Sequence, residues 1–182
     1  MAQRKDFYDL AVARHSCRSF ENRHVDDELL VRCVNAASLA PSACNSQPWN
    51  FVIITKDEVK KELAKLTQEM GLNLWSDYVP AFIVVSEDAE PQLMPRVAAT
   101  YGAKHFAACD VGIAMAYLLL EAEELGLGTC VIGTYSDEAV KKLLEIPEGD
   151  TVRGIIAVGY STGGEQSRKN RKDVSSITRM II

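Results

Sequence analysis

Ala40-Pro41-Ser42-Ala43-Cys44-Asn45-Ser46-Gln47-Pro48-Trp49-Asn50-Phe51-Val52-Ile53-Ile54 packs a helix stop, a polar loop and a buried strand into one stretch. Pro41 cannot continue a helix, because it lacks an N–H and its ring clashes with the preceding turn. Upstream, Asp26 can cap a helix whose Leu30, Cys33, Val34 and Ala37 repeat at i, i+3, i+4 and i+7. Phe51 to Thr55 reads as a buried strand, and Val59, Leu63, Leu66 and Met70 mark an amphipathic helix after it. Helix, loop, strand, helix is the opening of a layered domain.

The same alternation runs outward in both directions. Asp6 can cap a helix from Phe7 to about Arg14. Ala81 to Ser86 (AFIVVS) is a second continuous apolar strand, Thr129 to Ile132 a third and Arg153 to Val158 a fourth, with Ser136 capping a helix that ends near Glu145. Residues 104–125 predict a long helix, apolar on nearly every face and closed by Gly126. Such a helix must be buried all round, inside the domain or against a second subunit. Ala107, Ala108, Gly112, Ala114 and Ala116 would admit another helix at close range. Together these elements predict an α/β layered domain.

With 182 residues the chain reads as one domain, 1–182, able to bury about 70 % of its unfolded surface. A net charge of −5 argues against extended nucleic-acid binding. Residues 1–6 lack the apolar region of a secretory signal, and the longest uncharged apolar stretch, Val111 to Leu120, is too short to span a bilayer. Five cysteines without CxxC pairing argue against a disulfide framework or a zinc site, and favour a reducing cytoplasm. Cys33 and Cys109 read as core, and Cys17 and Cys44 as small space-filling residues. Three scattered histidines (15, 24 and 105) make no metal site, and no GxSxG, HExxH or P-loop occurs.

Two basic clusters carry the chemistry. Arg14-His15-Ser16-Cys17-Arg18 places two guanidiniums, an imidazole and a hydroxyl within five residues, and Arg168-Lys169-Asn170-Arg171-Lys172 could close on it from the C-terminus. Guanidinium forks match phosphate oxygens, so the set suits a phosphate dianion; a solvated charge cluster is the plainer alternative. By itself the 41–48 loop reads as a helix-to-strand connection rich in turn residues.

Taken in order and spacing, Arg14-His15-Ser16-Cys17-Arg18, the PSACNSQPW segment, Gly126-Leu127-Gly128-Thr129-Cys130-Val131-Ile132-Gly133 and the basic tail resemble the nitroreductase family of FMN-dependent oxidoreductases. The resemblance implies that Arg14, His15, Ser16 and Arg18, with Lys169 and Arg171, take the FMN phosphate. Pro41, Ser42 and Ala43 would line the ring from the neighbouring subunit, with Asn45 and Gln47 as polar contacts. Ile132 and Gly133 would meet the ring's far side, the Gly133 N–H facing N5. No side chain is expected to act as acid or base, since the flavin carries the chemistry. The resemblance further implies an α+β or α/β layered fold with a central mixed sheet flanked by helices, a homodimer with a long buried interface helix, a C-terminal tail (161–182) exchanged onto the partner, and a substrate cap over 68–104. NADH or NADPH would visit rather than reside, for there is no GxGxxG fingerprint. The expected activity is ping-pong reduction of nitroaromatics, quinones or related small acceptors. A narrower flavin reaction (enoate reduction or dehalogenation) and a non-catalytic flavin-binding or redox-sensing role stand as alternatives.

Overall fold

The computed structural model describes residues 6–163 and 170–182. In chain order the elements are α1 (Phe7–Ala13), α2 (Asp27–Ser38), β1 (Trp49–Ile54), α3 (Asp57–Gln68), β2 (Ala81–Glu87), α4 (Pro95–Tyr101), α5 (Ala107–Glu124), β3 (Gly128–Ile132), α6 (Asp137–Leu144), β4 (Thr151–Gly159) and α7 (Val174–Ile177). Short 3-10 turns cover Ala43–Asn45 and Leu74–Tyr78. The caps fall where side chains can supply them: Asp6 accepts from the Asp9 N–H and Ser136 from the Ala139 N–H. Asp26 stands at the start of α2 without making that bond.

The strands form one sheet in the order β1-β2-β4-β3. Helices cover both faces. On one, α2 and α5 bury Leu30, Cys33, Ala37, Val111, Ala114 and Leu118 against Ile83, Val85, Ile156 and Val158. On the other, Leu63 of α3 and Val140 of α6 pack on Phe82, Val84, Cys130, Ile132, Ile155 and Ala157. Successive residues of β2 therefore feed two cores, which is why AFIVVS is apolar without alternation.

The expected mixed sheet is corrected here. Every pair of strands runs antiparallel, with Ile54 opposite Phe82 and Ile132 opposite Ile155. A lone crossover helix would return the chain for a parallel neighbour. After α3, however, the turn Leu74–Tyr78 carries the chain on, and β2 starts where β1 stops. Parallel pairing survives as one isolated bridge, Ser16 with Thr129, at the β3 edge.

The long helix also differs from expectation. It starts at Ala107, preceded by α4, whose start is marked by Pro95. It is buried on one face only: Ala108, Cys109, Gly112, Ala116 and Tyr117 are exposed. Cys109 is thus not core, whereas Cys33 is, its thiol pushed up to about 12, chiefly by burial. Met70, expected on the apolar face of α3, lies past its end and is exposed. Tyr101, which ends α4, and His105 bring their rings to 5.3 Å, both on the exposed surface where α4 leads into α5.

A bulge between Val85 and Ser86 makes Arg153 the extra residue of β4. Its guanidinium Nε meets Oε2 of the fully buried Glu87 at 2.6 Å, and Glu87 Oε1 has no hydrogen-bond partner among the described residues. Arg153→Ala should therefore cost about 3 kcal/mol, because it strands a buried carboxylate. Urea unfolding of Arg153→Ala beside Arg153→Ala/Glu87→Gln checks this, the double variant recovering part of the loss. A single variant as stable as the parent would contradict it.

Candidate functional site

Two clusters of candidate residues are built by different parts of the fold. The first begins where α1 ends. The Arg14 N–H closes the helix on the Leu10 carbonyl at 2.9 Å, and the chain then extends along the outer edge of β3. Ser16 bridges Thr129, and the Cys17 N–H donates to the Thr129 carbonyl at 2.9 Å. Side chains alternate: Cys17 is buried beneath, while Ser16 and Arg18 face out. Gly128 makes this seat possible, since a Cβ there would lie 2.9 Å from both Cβ and Sγ of Cys17.

Electrostatics show how closely these groups converge. Burial pushes the Cys130 thiol up, and Arg18, the Ser16 hydroxyl and, more weakly, Arg14 pull against that rise. Arg18 also donates to the Ser16 carbonyl, and His15 Nδ1 lies 3.3 Å from the Ala13 carbonyl. The C-terminal tail departs from the same place: Phe20 bridges Ser161, and the Thr162 N–H donates to the Ser19 carbonyl. Lys169 lies outside the described residues. Arg171 is exposed, and its guanidinium donates to the neighbouring Asn170 carbonyl.

Along β3, Gly133 follows Cys130 by three residues, about 10 Å at strand rise. Gly133 is exposed, and a Cβ built there would meet nothing within 4 Å, so its backbone is open. Ile132, by contrast, turns its side chain into the core and can offer a ligand only its main chain. Asn73, in the middle segment, donates to Thr134 Oγ1 at 2.9 Å and ties that segment to the turn after Gly133. In the same segment Trp75 packs on Phe20, and Tyr78 is exposed.

The second cluster is the 41–48 loop at the start of β1. Pro41, Asn45 and Gln47 are exposed, Ser42 and Ala43 half-buried, and Trp49 is core. Cys44, Asn45 and Gln47 all take positive φ, 53°, 54° and 46°. Left-handed backbone at non-glycine residues costs on the order of 1–3 kcal/mol each and persists only where surroundings enforce it. Internal bonds help, Ser42 Oγ accepting from the Gln47 N–H and the Asn45 carbonyl from Gln47 Nε2. A bond from outside adds to them: Asp110 of α5 accepts the Ala43 N–H at 3.0 Å. Sequence reading passed over Asp110, although an acid on the buried face of an apolar helix was the available signal.

Within one chain the clusters stay apart. Their strands, β1 and β3, are opposite edges of the sheet, about 14 Å apart at strand spacing. α1 packs by the C-terminal end of α5, near Leu120 and Glu121, whereas the loop hangs on Asp110, about 16 Å back along the helix. Among the described residues no group of three or more His, Cys, Asp or Glu side chains could hold a metal, and no helix is long and apolar enough to cross a membrane.

The cations and hydroxyl of the first cluster suit a phosphate, and the open Gly133 edge beyond them suits a flat ring, so the residues present fit FMN. Comparison with known proteins points the same way. The sequence profile of the Nitroreductase family matches residues 11–160. A protein of Archaeoglobus fulgidus provisionally named NADH dehydrogenase/NAD(P)H nitroreductase is 31% identical, with 83% of each chain covered. An iodotyrosine deiodinase of Thermotoga neapolitana is 27% identical over 86% of this chain and 89% of its own. The structure of an FMN-dependent nitroreductase from Clostridium difficile superposes with a TM-score of 0.70 at 26% identity, covering 92% of both chains.

Proposed function

This chain belongs to the nitroreductase family, and from that premise we propose that it is an FMN-dependent oxidoreductase that reduces nitroaromatics, quinones or related acceptors with NADH or NADPH. The observation that carries this reading is the gathering of Arg14, Ser16 and Arg18 beside Cys130, with the open backbone of Gly133 about 10 Å further along β3. FMN supplies, when bound, the two-electron carrier that side chains lack.

The chain's own residues bind and orient. Arg14, His15, Ser16 and Arg18 hold the phosphate, joined by Lys169 and Arg171 from the tail. The Gly133 N–H and the Ile132 main chain meet one edge of the ring. Pro41, Ser42, Ala43, Asn45 and Gln47 come to it from a partner subunit, because their own chain holds them at the far edge of the sheet. The assembly is a homodimer, with the exposed Ala108, Gly112 and Ala116 face of α5 as its seam and the tail, ending in exposed Ile181 and Ile182, crossing onto the partner. Residues 68–104, tied down by Asn73, cover the substrate. The free cysteines support a reducing, cytoplasmic setting.

One face of the ring then serves both substrates in turn. Initial rates over a grid of NAD(P)H and quinone concentrations should give parallel double-reciprocal lines, the signature of ping-pong turnover. Intersecting lines with a demonstrable ternary complex would contradict a shared slot. Reductive dehalogenation is the second reading, favoured by the Thermotoga neapolitana relative. Turnover of an iodophenol in preference to nitroarenes would select it. A non-catalytic flavin carrier would fail to bleach when NAD(P)H is added without oxygen.

A further inference from the structure

We infer that Asp110 is the positioning residue for the ring-facing loop: it holds residues 42–47 in their left-handed path and so sets where the ring lies, without touching it. This rests on the FMN reading above. Asp110 is only 6% exposed, in the first turn of α5, where the helix dipole favours a carboxylate. Its Oδ2 reaches out of the helix to the Ala43 N–H, directly before the left-handed Cys44 and Asn45. The other bonds of the turn are internal: Asn45 N–H to the Ser42 carbonyl, Ser46 N–H to the Ala43 carbonyl and Gln47 N–H to Ser42 Oγ. The Asp110 bond is thus a side-chain tie from α5 to this turn, added to the packing of Ala40 and Trp49 on either side of the loop. A buried carboxylate is costly unless hydrogen-bonded, so the bond stabilises acid and loop together. Gly112 and Ala116 of the same helix form the proposed seam, so the packing of two α5 helices is passed to the loop through this one contact.

The test uses the FMN-saturated enzyme. Asp110→Ala should lower kcat by about tenfold or more, as a small misplacement of a reacting group does, and should alter the visible circular dichroism of the bound flavin. Asp110→Asn, whose amide oxygen can still accept from Ala43, should restore kcat and spectrum. Asp110→Glu keeps the charge but displaces the acceptor by a methylene, and should lower kcat even if Asp110→Ala does not fold. Parental kcat and spectrum in Asp110→Ala, or in Asp110→Glu should Asp110→Ala not fold, overturn the inference and leave the FMN reading standing. A parent protein that takes up no FMN removes both.

Discussion

Purified protein should be yellow, with one non-covalent FMN per chain, and should bind FMN in preference to riboflavin. The preference follows from the phosphate seat: riboflavin offers no dianion to Arg14, Ser16 and Arg18. Arg18→Ala should weaken FMN binding by about 1.5–3 kcal/mol, the worth of a charge-assisted hydrogen bond, or roughly ten- to 150-fold in Kd. Arg18 faces solvent, and among the described residues its guanidinium donates to the Ser16 carbonyl at 3.4 Å, so its loss should leave the fold intact. Fluorescence quenching of FMN on titration with apoprotein measures the change. A colourless protein that ignores added FMN would contradict the phosphate assignment.

Gly112→Arg should have the largest effect. In the single chain nothing lies within 4 Å of a Cβ at Gly112, and the residue is exposed in mid-helix. An arginine there is a better helix former than glycine, and its stem leaves the helix on an exposed face. Across a close seam of Ala108, Gly112 and Ala116 it would meet the partner's helix. The variant should fold, sediment as a monomer and lose FMN affinity by more than a hundredfold, because half of every site has gone. Deleting residues 177–182 should loosen dimer and cofactor together, since Ile177, Met180, Ile181 and Ile182 are all exposed in the single chain. A monomeric Gly112→Arg that still holds FMN would contradict the shared site.

Much of this was legible in the residues because local physics wrote it there. The stripe of Leu30, Cys33 and Ala37 buries as its spacing requires, the AFIVVS run lies in mid-sheet, and Gly126 takes φ 75° past the end of α5. What was not legible depends on neighbours. Strand direction is set by how connections return, so the mixed sheet became antiparallel. An all-apolar helix does not disclose which face its own domain covers, and so Cys109 was misplaced. Alternation along β3 sends the Ile132 side chain inward and leaves its main chain alone for the site. The tie from Asp110 to Ala43 joins residues 67 apart in sequence, beyond the reach of any local pattern.

The central claim is that each FMN site takes its phosphate seat from one chain and its ring-facing loop from the other. Subunit complementation tests it most directly. Arg14→Ala/Arg18→Ala breaks the first half, and Ala43→Arg fills the second; alone, neither homodimer should retain FMN. Mixed and purified as a heterodimer, the two should regain one FMN per dimer, in the site whose halves both remain intact. A heterodimer that binds no FMN would show that both halves belong to one chain, and would contradict the account.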